Sequence, residues 1–285
     1  MKDTGYRTAA TSPLDVSSLF SLAGKTAVVT GGSRGIGHMI ASGLVANGVR
    51  TVITARKADD CAAAAADING LAAGQTDAGS CISIPADVSS SRGVDSFVSA
   101  LREQLGTDAS IHLLVNNAGA AWGAPIGEFP EVGFDKVMDI NMKAPFLLTQ
   151  ALLAELEREA THDDPARVIM IGSIDGIRVP IGDNYSYSAA KAGVHMLARH
   201  LGAHLAARHV TVNSIAPGPF PSKMMAYRLE TEEMREEVSA HVPRRRIGTP
   251  EDIVGAVVFL ASRAGAFTSG AVVPVDGGIS TLGPV

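Results

Sequence analysis

Short, apolar, β-rich runs alternate with longer helical stretches along almost the whole chain, from Lys25 onward. Most of these runs are continuously apolar, which is typical of parallel strands that are covered on both faces. Repetition of strand, helix and strand requires right-handed crossovers. We therefore predict an α/β fold, a doubly wound parallel sheet of about seven strands with helices on both faces. The predicted strands are Thr26–Thr30, Thr51–Ala55, Cys81–Ile84, Ile111–Asn116, Arg167–Ile171, Thr211–Ile215 and Ala271–Val275.

No internal repeat or linker divides the 285 residues, so a single domain is expected. Residues 1–22 are polar and show no periodicity, and we interpret them as a loose N-terminal extension before a domain over residues 23–285. A long helix is predicted over Phe134–Glu159. The charged segment Glu157–Arg167 is predicted to be a surface loop.

The composition argues against several classes of function. The chain has 24 Lys and Arg against 29 Asp and Glu, a net charge of -5, which disfavours binding to a nucleic acid. Its apolar stretches are shorter than the ~20 residues of a membrane span, and its N-terminus lacks the apolar region of a signal peptide. Two cysteines, Cys61 and Cys81, are too few for a disulfide framework. We expect a cytoplasmic enzyme without membrane or nucleic-acid partners.

A glycine-rich turn separates the first predicted strand from the first helix. Gly31 permits a tight turn, Gly35 leaves room for a pyrophosphate beside the backbone, and Gly37 lets helix and strand pack closely. The amides at the helix N-terminus would then face the anion. A purely structural turn needs similar residues, but the strand before the glycines and the helix after them favour nucleotide binding.

The residues after the second predicted strand bear on the choice of cofactor. A site specific for NAD usually has an acidic residue there, which accepts hydrogen bonds from the adenosine ribose. Here Arg56 and Lys57 follow the strand, and Arg34 in the glycine turn is a third cation. Such groups suit a 2′-phosphate, which Arg binds through two hydrogen bonds at once. NADP(H) is therefore the predicted cofactor; the alternative is that these cations are only solvated.

Four polar residues are candidates for catalysis. Tyr187 and Lys191 are four residues apart at the start of a helical stretch and share one face. The pKa of a Tyr phenol is normally about 10, and a nearby ammonium would bring it closer to neutral pH. Ser173 ends the fifth strand, where its hydroxyl can bond a carbonyl oxygen, and Asn141 lies within the long predicted helix. Each also has an ordinary structural interpretation, as a solvated helix face, a loop cap or a surface amide.

Further motifs follow in order, and together they resemble the short-chain dehydrogenase/reductase family over roughly residues 22–280. The motifs are the glycine turn, Asp87-Val88, Asn116-Asn117-Ala118-Gly119, Ser173, Tyr187-Ser188-Ala189-Ala190-Lys191, Pro217-Gly218 and Asp276-Gly277-Gly278. The resemblance implies a Rossmann fold and a catalytic tetrad of Asn141, Ser173, Tyr187 and Lys191, in which Asn141 helps to hold a water that connects Lys191 to solvent. The resemblance and the three cations together imply a cofactor site of Gly31, Ser33, Arg34, Gly35, Ile36, Gly37, Arg56, Lys57, Asp87, Val88, Asn117, Ala118, Gly119, Tyr187, Lys191, Pro217, Gly218 and Ser222.

Within this family the chain most resembles 3-oxoacyl-acyl-carrier-protein reductases and the branch described from rhamnolipid biosynthesis. The resemblance implies an NADP(H)-dependent oxidoreductase that transfers hydride between nicotinamide and a carbonyl or secondary alcohol, with a 3-oxoacyl thioester or similar ketone as substrate. An NAD-dependent alcohol, polyol or steroid dehydrogenase and a non-catalytic nucleotide-sensing protein stay open as alternatives. The expected partners are a small carbonyl substrate, with a carrier-bound acyl group as one option, and further copies in a homotetramer or homodimer. No metal is expected.

The same resemblance implies a mobile substrate cover over residues 219–245. The side chains that would form its apolar wall, or else belong to ordinary core, are Phe220, Met224, Met225, Met234, Trp122 and Ile181. Ser222 stands where the family usually has a Thr that contacts the nicotinamide amide. Histidines between His195 and His209 and the triplet Arg244–Arg246 suggest a metal or an acidic carrier, but a packed surface and a solvated loop are favoured.

Overall fold

The computed structural model describes residues 13–180 and 182–281, and seven strands within these ranges form one parallel sheet. The strands are β1 (Thr26–Thr30), β2 (Arg50–Thr54), β3 (Ser80–Ser83), β4 (Leu113–Asn116), β5 (Ala166–Ile171), β6 (Val210–Pro217) and β7 (Val272–Val275). Their order across the sheet is β3-β2-β1-β4-β5-β6-β7. The predicted doubly wound sheet is confirmed, and each predicted strand overlaps an observed one.

Helices connect the strands, since consecutive parallel strands require a crossover from one end of the sheet to the other. The α-helices of the described ranges are α1 (Val16–Leu19), α2 (Gly35–Ala46), α3 (Ala58–Leu71), α4 (Ser91–Leu105), α5 (Glu131–Met138), α6 (Ala144–Ala151), α7 (Leu153–Glu157), α8 (Tyr185–Leu205), α9 (Glu232–Ala240) and α10 (Pro250–Ala261). Within residues 13–180 and 182–281, none of the helices has the length and apolar character needed to span a bilayer.

Two apolar cores fill the spaces between the sheet and its helices. Val28 and Val29 of β1 are both fully buried, but they belong to different cores because successive strand residues point to opposite faces. Val29 shares its core with Ile40 of α2 and Ile253 of α10, and Val28 shares the other with Phe97 of α4. Burial on both faces explains why the strands are continuously apolar in sequence.

The long helix predicted over Phe134–Glu159 is divided into α5, α6 and α7, so this prediction is wrong in detail. A turn of π-helix, Asp139–Lys143, joins α5 to α6. Pro145 in the first turn of α6 has no amide hydrogen, so the carbonyl of Asn141 lacks its usual α-helical donor. The wider π turn accommodates this defect, and π turns are frequent at functional sites. Asn141 therefore lies in a π turn and not in regular helix.

The predicted N-terminal extension is ordered where the structure describes it. Asp15 caps α1 by accepting a hydrogen bond from the Ser18 amide at 3.0 Å. Leu22 is 2% exposed and packs in the core on the α2 face of the sheet. Residues 1–12 of the predicted extension lie outside the described ranges, and the division of the chain near residue 22 stays a prediction.

The charged loop predicted over Glu157–Arg167 is shorter than expected at its C-terminal end. Strand β5 begins at Ala166, and Arg167 is fully buried within it. The Arg167 guanidinium donates to the Asp164 carboxylate and to the Ser262 carbonyl, both at 2.8 Å. Because these hydrogen bonds pair the guanidinium with a carboxylate and a carbonyl, Arg167 can be buried although the charged sequence around it predicts a surface loop.

Candidate active site

The carboxyl ends of β1 and β4 mark the point at which the strand order reverses, because the chain runs outward from β1 to β3 and then returns to β4. Open α/β sheets bind their ligands in the crevice at such a switch point. The glycine turn follows β1 at this point, with Gly31 at φ +65° and Gly35 at φ +56°. L-residues with a side chain rarely adopt these angles, so both positions require glycine.

Gly37 brings the start of α2 close to the loop after β4. A Cβ atom at Gly37 would lie 2.4 Å from Asn117 Nδ2 and 2.4 Å from the Gly31 carbonyl oxygen. Asn117 Nδ2 donates to the Thr30 carbonyl at 2.8 Å, and the Thr30 hydroxyl accepts from the amides of Asn117 and Ala118, both at 2.9 Å. Sequence patterns do not single out Thr30, because a threonine that ends a strand carries no sign of this distant contact.

The glycine turn is partly open at its surface and is bordered by the loop after β6. Ser33, Gly35 and Ile36 stay partly exposed, which leaves the turn open to an anion. A Cβ at Gly35 would come within 3.3 Å of the Ser222 Cβ, so the loop after β6 lies against the turn. A Cβ at Gly218 would lie 2.8 Å from the Asp276 Cα. The glycine turn is thus open where the sequence predicts a pyrophosphate, while Gly218 packs closely against the residue that follows β7.

Other predicted cofactor contacts divide between the surface and the core. Asp87 is exposed, and its carboxylate accepts a hydrogen bond from the Ser89 amide at 3.1 Å. Val88 is 4% exposed, and its side chain packs in the core on the α4 face. Pro217 ends β6 in register with Val275 of β7. A contact of Val88 with a cofactor would therefore have to come from its backbone.

The three cations predicted to bind a 2′-phosphate are all exposed in the structure. Arg34 is the N-terminal capping residue of α2, while Arg56 and Lys57 lie between β2 and α3. Lys57 lies 4.0 Å from Asp60, which is in the first turn of α3. Across residues 13–180 and 182–281, neither Arg34 nor Arg56 pairs with a carboxylate. No acidic group would have to be displaced for them to bind a phosphate.

Ser173, Tyr187 and Lys191 come together at the carboxyl end of β5 and the first turns of α8. Their exposed fractions are 8%, 8% and 4%. The Ser173 hydroxyl oxygen accepts from the Asp175 amide at 3.1 Å, so its hydrogen is left to be donated across the site. Lys191 Nζ donates to the Ile171 carbonyl at 2.7 Å and lies 5.5 Å from the centre of the Tyr187 ring.

Burial governs the protonation of Tyr187. It raises the pKa of Tyr187 to about 12; the Asp175 carboxylate adds to this shift, and the Ser173 side chain opposes it. Burial also lowers the pKa of Lys191 to about 8. Burial thus outweighs the lowering that the sequence predicts from Lys191, and the net shift in the pKa of Tyr187 is upward. Tyr187 carries its proton at neutral pH, as a general acid must.

Asn141 joins the π turn to the loop after β4. It is 2% exposed, and its Nδ2 donates to the Ala120 carbonyl at 2.7 Å and to the Val137 carbonyl at 2.8 Å. Its Oδ1 is buried and finds no hydrogen-bond partner in the part of the chain that the structure describes. A Cβ at Gly119 would lie 2.6 Å from this oxygen. Asn141 is thus no surface amide, and its Oδ1 can accept a hydrogen bond from a bound water.

Asp175 is a residue of this site that sequence reasoning does not find. It accepts a hydrogen bond from Asn184 Nδ2 at 3.2 Å, just before α8 begins. Burial raises the pKa of Asp175, while Asn184 and the charges of Arg178 and Arg228 oppose the shift. A carboxylate two residues after Ser173 has no periodic signature, and only the fold brings it near Tyr187.

The predicted substrate cover comprises a short 3-10 helix, Ala226–Arg228, followed by α9. Phe220 is 2% exposed and fills the space left by Gly248, so it belongs to the core and not to a substrate wall. Met224 and Met234 are exposed, as a wall would require. Of the other wall candidates, Met225 is half-buried, Trp122 packs in one cluster with Tyr187, and Ile181 lies outside the described residues.

Two other groups that the sequence singles out, the histidines between His195 and His209 and the triplet Arg244–Arg246, make ordinary packing contacts and ion pairs. The rings of His200 and His204 meet edge to face with their centroids 4.6 Å apart, and residues 13–180 and 182–281 contain no group of three or more side chains suited to a metal. Arg246 binds both carboxylate oxygens of Asp252, at 2.5 and 2.8 Å. His195 differs from its neighbours because it is buried beside Ser173.

Comparison with known families agrees with this geometry. The family model described as enoyl-(acyl carrier protein) reductase matches residues 31–280. The chain belongs to the short-chain dehydrogenase/reductase family. As a member of this family it is an oxidoreductase.

Two curated relatives in the family differ in substrate. The rhamnolipids biosynthesis 3-oxoacyl-[acyl-carrier-protein] reductase of Pseudomonas aeruginosa is 44% identical over 259 residues, which cover 91% of this chain and 97% of that protein. The 5-keto-D-gluconate 5-reductase of Escherichia coli is 33% identical over 269 residues, which cover 93% of this chain and 98% of that protein.

Among solved structures of short-chain dehydrogenases/reductases, the Pseudomonas aeruginosa RhlG/NADP active-site complex has a TM-score of 0.86 and 42% sequence identity. The match covers 92% of this chain and 99% of that one. The similarity therefore extends over the sheet, the glycine turn and the segment after β6.

Proposed function

We propose that this protein is an NADP(H)-dependent carbonyl reductase that acts on 3-oxoacyl thioesters. The observation that carries the proposal is the buried cluster of Ser173, Tyr187 and Lys191 beside an open glycine turn. The Pseudomonas relative named for 3-oxoacyl-[acyl-carrier-protein] reduction supports the substrate class. The RhlG complex with NADP supports the cofactor.

The cofactor would be held by residues that line the edge of the sheet. When bound, the dinucleotide supplies the hydride that the carbonyl carbon receives. The residues that we assign to binding it are Gly31, Ser33, Arg34, Gly35, Ile36, Gly37, Arg56, Lys57, Asp87, Val88, Asn117, Ala118, Gly119, Tyr187, Lys191, Pro217, Gly218 and Ser222. Arg34 and Arg56 would bind the 2′-phosphate, since neither is engaged by a carboxylate of the described chain.

The proton comes from this chain. Tyr187, protonated at neutral pH, donates its phenolic proton to the carbonyl oxygen, which becomes the alcohol. Ser173 donates a hydrogen bond to the same oxygen as negative charge develops on it. Lys191, held by the Ile171 carbonyl, lies close enough to favour the phenolate that is left, and solvent reprotonates Tyr187. Asn141 offers Oδ1 to a water near this path.

The test of function compares substrates with purified protein, following NADPH oxidation by its absorbance. We expect kcat/KM for acetoacetyl-CoA to exceed that for 5-keto-D-gluconate and for crotonyl-CoA by at least about tenfold, or about 1.4 kcal/mol. Preference for 5-keto-D-gluconate would support a polyol dehydrogenase instead. NADPH binding without turnover of any carbonyl would support a nucleotide-sensing protein and contradict the proposal.

We also infer that the protein assembles as a homodimer or homotetramer. We further infer that it acts in the cytoplasm and that a carrier-bound acyl group is one form of its substrate. Phe146 on α6 and Met196 on α8 are 40% and 60% exposed, and such apolar side chains are suited to contact a second copy. Cys61 and Cys81 are free thiols, which fits a reducing compartment. Light scattering at micromolar concentration that found only monomer would contradict the assembly.

A further inference from the structure

His195 lies one helical turn beyond Lys191 on α8, on the same buried face as Tyr187 and Lys191. It is 6% exposed and takes no part in the reaction proposed above. Burying an imidazole requires partners for its ring nitrogens, so the identity of those partners shows what the ring holds in place.

Both ring nitrogens of His195 have partners in the strands that end at the site. Nε2 lies 3.0 Å from the Ser173 carbonyl oxygen, and Nδ1 lies 2.8 Å from the Ser214 hydroxyl oxygen on β6. A carbonyl can only accept, so Nε2 must carry a hydrogen. In the neutral ring Nδ1 then accepts the single hydroxyl hydrogen of Ser214, whose other acceptor within reach is the Met170 carbonyl at 3.1 Å. Burial lowers the pKa of His195. The hydrogen bond to the Ser173 carbonyl opposes this shift, and the charges of Lys191 and Arg199 add to it, so the neutral form of the ring is favoured.

Gly172 provides the space that the His195 ring occupies. A Cβ at Gly172 would lie 2.0 Å from Cε1 of the ring, so a side chain there would push the ring away from its two hydrogen-bond partners. The residue directly before Ser173 is therefore small because an imidazole packs against it. This packing places the ring against the backbone on which Ser173 is carried.

We propose that His195 is a positioning residue, whose Nε2–H holds the backbone of Ser173 so that the Ser173 hydroxyl is directed at the reacting oxygen. Ser173 is then fixed at two points, at its carbonyl by His195 and at its Oγ by the Asp175 amide, at 3.0 and 3.1 Å. The inference rests on the proposed function, because it assigns His195 a role through Ser173. A misplacement of about 1 Å in such a group can lower a rate by ~10²-fold.

Three substitutions separate this role from simple packing. His195→Gln carries an amide at about the reach of Nε2, His195→Asn carries one only at the reach of Nδ1, and His195→Met fills similar volume without a donor. We expect Met and Asn to lower kcat at least about tenfold, and Gln to retain most of it. The Kd for NADPH, measured by fluorescence titration, should stay within about twofold. His200→Met, on the exposed side of the same helix, is the matched control and should leave kcat unchanged.

The decisive measurement repeats His195→Met in a Ser173→Ala background. If His195 acts through Ser173, the second substitution lowers the residual rate no further, since coupled residues are not additive. An equal loss in both backgrounds, or equal losses in the Gln and Asn variants, would overturn the inference. If His195→Met does not fold, the comparison of Gln with Asn in both backgrounds decides. Failure of the wild type to reduce any ketone would contradict the proposed function itself, which is a different outcome.

Discussion

Gly37 offers the sharpest test of how the site is built, because the substitution Gly37→Ala adds one methyl group where the structure has no room. The new Cβ would lie 2.4 Å from the Gly31 carbonyl oxygen and from Asn117 Nδ2. The first of these is backbone, so it cannot move without shifting the glycine turn. The second donates to the Thr30 carbonyl at 2.8 Å, so moving it breaks a contact between the loops after β1 and β4.

The expected loss of stability follows from three contributions. Overpacking of this kind costs about 1–3 kcal/mol, and loss of the Asn117 hydrogen bond costs about 1 kcal/mol more. Alanine offsets about 1 kcal/mol, because it is the better helix former. We therefore expect Gly37→Ala to lower the free energy of unfolding by about 1–3 kcal/mol, or the Tm by several degrees. The Kd for NADPH should rise at least about tenfold, since the turn that receives the phosphates is displaced.

Gly70→Ala is the matched control. Gly70 lies in α3, and a Cβ there would meet nothing within 4 Å. The same substitution should therefore stabilise the protein by up to about 1 kcal/mol and leave NADPH binding unchanged. Urea unfolding at one fixed protein concentration and fluorescence titration with NADPH measure both quantities. If Gly37→Ala matched the wild type in both measurements, the close approach of α2 to the loop after β4 would not constrain the site.

The remaining predictions concern catalysis, cofactor choice and pH. Tyr187→Phe should lower kcat/KM by ~10²–10⁴-fold with little change in the Kd for NADPH, and retention of half the activity would contradict its role as the acid. The wild type should prefer NADPH to NADH by at least about tenfold in kcat/KM, and Arg56→Asp should shrink or invert this ratio by repelling the 2′-phosphate; equal use of both cofactors would refute it. Burial, and next the charge of Lys25, lower the pKa of His112, whose Nδ1 accepts from the Thr26 amide at 3.0 Å. The unfolded chain therefore protonates His112 more readily than the folded chain does. The contribution of neutral His112 to the free energy of unfolding should be lost as pH falls below ~6.5. His112→Asn keeps an acceptor for Thr26 and should flatten the pH dependence between pH 7 and 5 in urea unfolding; an unchanged slope would exclude His112 as its source.

Local sequence signals were sufficient for most of the fold. Strands buried on both faces must be continuously apolar, so β1 to β7 could be placed to within a few residues. The glycines of the turn could be identified because positive φ and close backbone approach leave no other residue type. Tyr187 and Lys191 could be paired because four residues make about one turn of helix, wherever that helix packs.

Other features depend on residues that are distant in sequence. Phe220 looks like a substrate contact in the sequence, but Gly248 leaves a space that it fills in the core. The division of the long helix follows from Pro145, a local signal, yet only the packing shows that the π turn directs Asn141 to the Ala120 carbonyl. The spacing of Lys191 suggests that the pKa of Tyr187 is lowered, but burial of the phenol raises it.

The sequence by itself thus determined the order of strands and helices, the glycine turn and the residue types that can carry out hydride and proton transfer. These depend on periodicity and backbone geometry within a few neighbouring residues. The tertiary structure alone decided which polar groups are buried, which partners they have and which protonation state they keep. Thr30, Asp175 and His195 owe their places in the site to contacts with the loop after β4, with the residue before α8 and with β6, because a hydrogen bond across the fold leaves no pattern in either segment that makes it.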